Sequence, residues 1–235
     1  MPDNLGETLA LATAMMSLGA SAAYWLRFST REVKGATGAA VKTGSTGLLA
    51  LAVALAGMGG AAWAGLVVLG LALGAVGDLC LALGGMRRFL AGVVTFGLGH
   101  LAYAGGFLWW AGERGFDGLS VAELLALGLL GGLLMSTEVW LAPRTGHLRQ
   151  PVRGYVGLIG VMGLVAILLP DHPGQGVLRL GAGLFIISDL MLALQLFVVK
   201  GAGVRRRLGL ALWPAYWAGQ ALIAWGTVLA ARGVG

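Results

Sequence analysis

Eight stretches of about twenty residues carry almost no charge, and this limits the folds open to the chain more than any other feature. They run roughly over residues 5–27, 37–57, 61–83, 89–111, 119–142, 152–169, 176–200 and 207–231. About twenty predominantly apolar residues are what an α-helix needs to cross the hydrocarbon of a bilayer. Such a helix also satisfies its own backbone hydrogen bonds, which lipid cannot do. The connections are short and leave nothing over for a soluble domain. Composition agrees: of 235 residues, 58% are apolar and 11% charged. A soluble domain carries roughly 25% charged residues. A soluble enzyme, a disordered chain and a charged nucleic-acid-binding domain are therefore excluded, and the expected partner is the lipid bilayer, not nucleic acid. The fold expected is all-α, a polytopic membrane protein of eight transmembrane helices forming a single domain over residues 1–235. The 42 glycines suit helices that pack backbone to backbone, and they follow no Gly-X-Y period. The second stretch is the least apolar, because Lys42 and several Gly and Thr residues occupy its first half. Its single cysteine, Cys80, leaves no intramolecular disulfide. Asp3 and Glu7 make the leading segment acidic, unlike the basic start of a cleaved signal, so the first stretch is expected to persist as a helix.

The basic residues sort by side. Arg27, Arg31, Lys34, Lys42, Arg87, Arg88, Arg144, Arg149, Arg153, Lys200, Arg205, Arg206 and Arg207 belong to the odd-numbered connections, and only Arg114, Arg179 and Arg232 to the other side. Thirteen against three accounts for all 16 Lys and Arg. Cytoplasmic loops carry this excess, so the odd loops are expected in the cytoplasm and both termini outside. Short loops and the lack of a targeting signal point to a bacterial inner membrane.

A short motif recurs. Gly77-Asp78-Leu79-Cys80-Leu81-Ala82-Leu83 ends the third stretch, and Ser188-Asp189-Leu190-Met191-Leu192-Ala193-Leu194 lies in the seventh. Five of the seven positions are identical at an offset of 111 residues. With four helices between them the copies run the same way. A four-plus-four internal repeat is therefore expected, with halves of about residues 1–115 and 116–235 related by an axis along the membrane normal.

An ionised carboxylate at membrane depth is costly unless paired or solvated, and such residues face a bundle interior or a watery cavity. Asp78 and Asp189 are thus the first candidates for chemistry. Asp78 sits toward the cytoplasmic end of its helix and Asp189 nearer the middle. His100 and Tyr103 are three apart on the fourth stretch, and Tyr216 and Gln220 four apart on the eighth, so each pair shares a helix face. Plain interhelical hydrogen bonding would explain Tyr216 and Gln220 as well as a site would, whereas His100 lies mid-span, where a polar ring needs a partner. Lys42 either snorkels to the interface or binds an anionic headgroup. There is no G-x-S-x-G elbow, H-E-x-x-H motif or P-loop. His100, His147 and His172 are too scattered for a three-histidine zinc site, so no metal site is expected.

Gly77-Asp78, Arg87-Arg88-Phe89 and Phe96-x3-His100-x2-Tyr103-x3-Phe107 resemble the third and fourth helices of the YhhN-type lysoplasmalogenase family. Pro151-Val152-x2-Tyr155 followed by Met162 is similar to its sixth helix, Phe185-x2-Ile187-Ser188-Asp189-x3-Ala193 to its seventh, and Tyr216-x3-Gln220-x-Leu222-Ile223-Ala224 to its eighth. One departure stands out: the family often has Lys-Pro entering the second helix, and here Lys42 is followed by Thr43. The resemblance implies an eight-helix membrane hydrolase that cleaves the vinyl-ether bond of lysoplasmalogens to a fatty aldehyde and a glycerophospho-headgroup, with no metal or organic cofactor. Its partner would be a lysophospholipid in the membrane; nothing in it fixes an oligomeric state.

Vinyl ethers hydrolyse by acid catalysis: protonation of the carbon β to the oxygen gives an oxocarbenium ion, to which water adds. Two acids in unlike environments handle a similar cation in glycosidases. Two aspartates facing one cavity would suit, burial and mutual repulsion keeping one of them protonated. Asp78 and Asp189 are the expected pair, with Asp189, the deeper, favoured as proton donor. His100, Tyr103, Tyr216 and Gln220 would orient acids, water or the sn-2 hydroxyl, and the family motifs add Tyr155 and Ser188. Lys42 or a loop arginine such as Arg87 would hold the phosphate. Two other classes fit part of the pattern: a proton-coupled transporter, which also places ionisable groups in parallel repeats, and a metal-dependent intramembrane lipid hydrolase.

Overall fold

The computed structural model describes residues 2–30, 35–57, 61–115 and 118–233. Arg31 and Lys34 lie outside the described residues, and only the backbone of Asp3 is described. The described residues form eight long helices and no strand: α1 (Pro2–Arg27), α2 (Gly35–Leu55), α3 (Ala62–Leu83), α4 (Met86–Gly112), α5 (Val121–Trp140), α6 (Arg149–Ile167), α7 (Gln175–Ala193) and α8 (Ala202–Arg232). Two short 3-10 turns, Ala142–Arg144 and Gly146–Leu148, join α5 to α6, and α7 runs on into a π-helical turn, Leu194–Val198. Seven of the eight, α1 to α7, are long and apolar enough to cross a membrane. The expectation of eight apolar spans is corrected in that respect. The length of α8 suffices, but Arg205 to Arg207, Pro214, Tyr216, Gln220 and three tryptophans dilute its apolar content. The three arginines and Trp225 are exposed, whereas Trp213, Tyr216, Gln220 and Thr227 are buried.

Neighbours in sequence pack closely, α1 on α2, α2 on α3, α3 on α4 and α7 on α8, while α4 also meets α6 and α8 meets α2. The turn between α3 and α4 is only Gly84-Gly85, with φ of +68° and +87°, a region open to glycine and strained for other residues. Glycines also set how near the helices come. A Cβ at Gly219 would lie 2.9 Å from the Phe185 backbone nitrogen, and one at Gly181 would lie 2.8 Å from that of Ile223. Helices α7 and α8 therefore touch backbone to backbone, the small-residue packing that membrane helices favour. Pro214 has no N–H to give the Leu210 carbonyl four residues back, and the Trp25 indole donates to that carbonyl instead, at 2.9 Å. Helix α5 is the exception in the bundle: none of its residues is buried, and it leans on α6.

Candidate functional site

Asp78 sits near the end of α3, where Gly70, Gly74 and Gly77 leave one face without side chains. Neighbouring helices fill that face. A Cβ at Gly70 would run into the Tyr103 ring, one at Gly74 would lie 2.7 Å from Gln220 Nε2, and one at Gly77 would lie 2.6 Å from the Phe96 ring. The glycines thus let α4 and α8 press polar and aromatic groups around the carboxylate. Asp78 is 1% exposed. Its Oδ2 accepts from Thr46 Oγ1 at 2.5 Å and from Tyr216 Oη at 2.8 Å. Its Oδ1 lies 2.8 Å from Lys42 Nζ, as an ion contact without an aligned hydrogen bond. The network continues: Gln220 Nε2 donates to Tyr216 Oη at 3.2 Å, and Tyr103 Oη donates to Gln220 Oε1 at 2.5 Å. Lys42 Nζ also stands 5.7 Å from the centre of the Trp213 ring, a cation–π distance. Lys42 does not simply snorkel outward. It lies against Asp78, so the α2 cation answers the α3 anion.

Asp189 has a second set of partners. Tyr155 Oη donates to its Oδ2 at 3.1 Å. His100 Nε2 lies 3.4 Å from the same oxygen and 3.2 Å from Tyr155 Oη. With the Tyr155 proton turned to the carboxylate, Nε2–H is the donor toward this pair. The other ring nitrogen, Nδ1, lies 3.2 Å from the Met162 sulfur. His100 is fully enclosed, whereas the Asp189 side chain is 11% exposed. Enclosure therefore runs opposite to the expectation drawn from depth. Asp189 borders an open cleft, and Asp78 does not.

The two carboxylates do not share one cavity. Asp189 lines an apolar cleft of about 90 Å³. Lys42 lines a more polar cavity of about 360 Å³ with Ser29, Gln195 and Trp213. Asp78 is behind Lys42 and borders neither. Aromatic rings fill the space between the two clusters: Phe185 packs 4.7 Å from His100 and 5.3 Å from Tyr216, with Phe96 6.0 Å from Tyr216.

Of the residues proposed from sequence, Lys42, Tyr216, Gln220 and Tyr103 gather on Asp78, and His100 and Tyr155 on Asp189. His100 and Tyr103 both point inward from α4 but serve different carboxylates. Ser188 turns its hydroxyl back to the Phe185 carbonyl at 2.7 Å and reaches neither cluster. Arg87 is exposed in the first turn of α4 and lines neither cavity. Thr46 was not anticipated, although it lies one turn beyond Lys42, where residues four apart share a face. Trp213, three residues before Tyr216, was missed on the same ground. No group of three or more His, Cys, Asp or Glu stands close enough to hold a metal ion among the described residues.

The YhhN family model matches residues 37–227, a span that includes every residue of both clusters. No curated protein matches the chain, and no solved structure does.

Proposed function

We propose that this chain, which belongs to the YhhN family, is a membrane hydrolase that cleaves the vinyl-ether bond of lysoplasmalogens, with Asp189 as the proton donor and Asp78 holding the Lys42 ammonium for the headgroup. One observation carries the reading: two intramembrane carboxylates have unlike surroundings. Asp189 faces an apolar cleft beside a histidine and a tyrosine. Asp78 is held by an ammonium and two hydroxyls. Unlike environments give two acids unlike roles: proton transfer at Asp189, and anchoring of the headgroup-binding ammonium at Asp78.

In this mechanism Asp189 delivers a proton to the alkenyl carbon β to the ether oxygen, and the double bond becomes an oxocarbenium ion. His100 and Tyr155 orient the carboxyl and stabilise the carboxylate left behind. Water adds to the cation and gives up a proton to the Asp189 carboxylate, which restores the acid. The hemiacetal then collapses to aldehyde and the free glycerol hydroxyl, and one water is consumed. Lys42 supplies the phosphate contact, its ammonium held by Asp78 at the wall of the cavity that takes the phosphodiester. Tyr216, Gln220 and Tyr103 hold Asp78 in position.

A four-plus-four repeat is part of the proposal. The partners of the two aspartates support it. Asp78 on α3 is met from α2 and α8, and Asp189 on α7 is met from α6 and α4. A two-fold exchange of α1–α4 with α5–α8 maps one set of helices onto the other. We also take the odd loops to be cytoplasmic, which places both cavities in the cytoplasmic half of the bilayer, in a bacterial inner membrane.

The test is aldehyde release by purified protein in detergent, from lysoplasmenyl lipid and from its saturated-ether analogue, with and without chelator. The expected result is aldehyde from the first lipid only, unchanged by chelator. Loss of activity in chelator would favour a metal-dependent hydrolase, and no aldehyde from either lipid would favour a transporter.

A further inference from the structure

The apolar cleft beside Asp189 has a definite shape. One wall is α5, through Leu133, Leu134 and Thr137, and the opposite wall is α7, through Ile186 and Leu190. Asp189 is its one charged lining residue. Helix α5 buries none of its residues and leaves α7 to α8 and α6, so the gap between α5 and α7 opens sideways, toward lipid. Exposed apolar side chains continue the α5 surface outward, with Leu129 at 76% and Val139 at 78% exposure. At its cytoplasmic end the cleft shares Leu81, Phe89, Leu192 and Leu196 with the cavity that holds Lys42. Leu196 belongs to the π-helical turn that ends α7, and π-turns interrupt helices most often where a site needs the space.

A cation, then a carboxylate, then an apolar slot open to the bilayer therefore follow one another along a single path. We propose that the cleft between α5 and α7 is the site for the alkyl chain of a single-chain anionic or zwitterionic phospholipid, which enters sideways from the bilayer. The phosphate lies in the Lys42 cavity, the first chain carbons pass Asp189, and the tail leaves between the two helices. Leu81, Phe89, Leu192 and Leu196 form the neck where headgroup and chain meet. Leu133 and Thr137 on α5 set the width of the slot. This rests on the functional reading above for the chemistry done at Asp189, but the binding site stands on geometry of its own.

The experiment uses a lysophosphocholine carrying a photoreactive diazirine midway along a saturated ether chain, which the enzyme does not cleave. After irradiation of the purified protein, labelled peptides are mapped by mass spectrometry. The expected result is labelling concentrated on residues 133–140 and 186–196, reduced at least fivefold by excess unlabelled lysolipid and by Thr137→Trp. Met135→Trp, on the opposite, lipid-facing side of the same helix and outside the cleft lining, should leave the labelling unchanged. Labelling spread over the lipid-facing surface, or labelling that competitor does not reduce, would overturn the proposal. If Thr137→Trp does not fold, the competition on the natural protein still decides. A protein that labels as expected but releases no aldehyde would keep the lipid site and remove the hydrolase reading. A protein that releases aldehyde without labelling the cleft would do the reverse.

Discussion

Lys42 and Asp78 depend on each other, and this gives the first prediction. Breaking a buried ion pair by removing one partner costs about 3–5 kcal/mol, because the remaining charge stays buried and unanswered. Asp78→Asn should therefore lower the thermal midpoint as well as abolish aldehyde release. The pair Asp78→Asn with Lys42→Met, which removes both charges, should recover most of the stability and none of the activity, and thermal unfolding in detergent checks both. Asp189→Asn behaves differently on this account. Its amide still accepts from Tyr155 and still borders the cleft, so stability should change little. Activity should fall by roughly 10²–10⁴-fold, the usual contribution of a positioned general acid. Equal loss of stability in the two Asn variants would remove the distinction between the sites. Tyr155→Phe removes one donor to Asp189 and should reduce turnover without altering the Lys42 side of the site.

At the level of the helices, glycine decides how the site closes. Gly219→Val would force α8 away from the Phe185 backbone. Inserting bulk into a packed interface costs typically about 1–3 kcal/mol, so the variant should unfold at lower temperature and lose activity together. Gly74→Leu should instead displace Gln220 and, through it, Tyr216 and Tyr103, so its larger effect is on turnover. Much of this layer was legible in the sequence. Runs of apolar residues gave eight helices to within a few residues. The rarity of charge singled out Asp78 and Asp189, and four-residue spacing joined Tyr216 to Gln220. Periodicity says which face a residue occupies but not which helix it meets. It therefore put His100 and Tyr103 together, whereas α4 lies between α3 and α6 and sends them to different aspartates. The family motif offered Ser188 to the site, but the helix itself takes up its hydroxyl. The peripheral placement of α5, and with it the cleft, left no mark on its sequence, since a lipid-facing helix is as apolar as a buried one.

For the whole molecule, the arrangement is a bundle with polar groups gathered on two buried or half-buried aspartates, and the cavities beside Asp189 and Lys42 lie toward the same end of it. On the proposed topology that end faces the cytoplasm, thirteen basic residues against three. Single cysteines placed at Arg88 and at Arg114 in a Cys80→Ala background check this. The first should react with an impermeant maleimide only after the membrane is opened, and the second should react in intact cells. The reverse pattern would invert the protein. The central claim is chemical, and the most direct measurement is the release of aldehyde from lysoplasmenyl lipid by purified natural protein beside Asp189→Asn. The account predicts stoichiometric aldehyde and glycerophospho-headgroup from the natural protein, none from the saturated-ether lipid, and near-background release from a folded Asp189→Asn protein. Full activity in folded Asp189→Asn, or cleavage of the saturated ether, would contradict it.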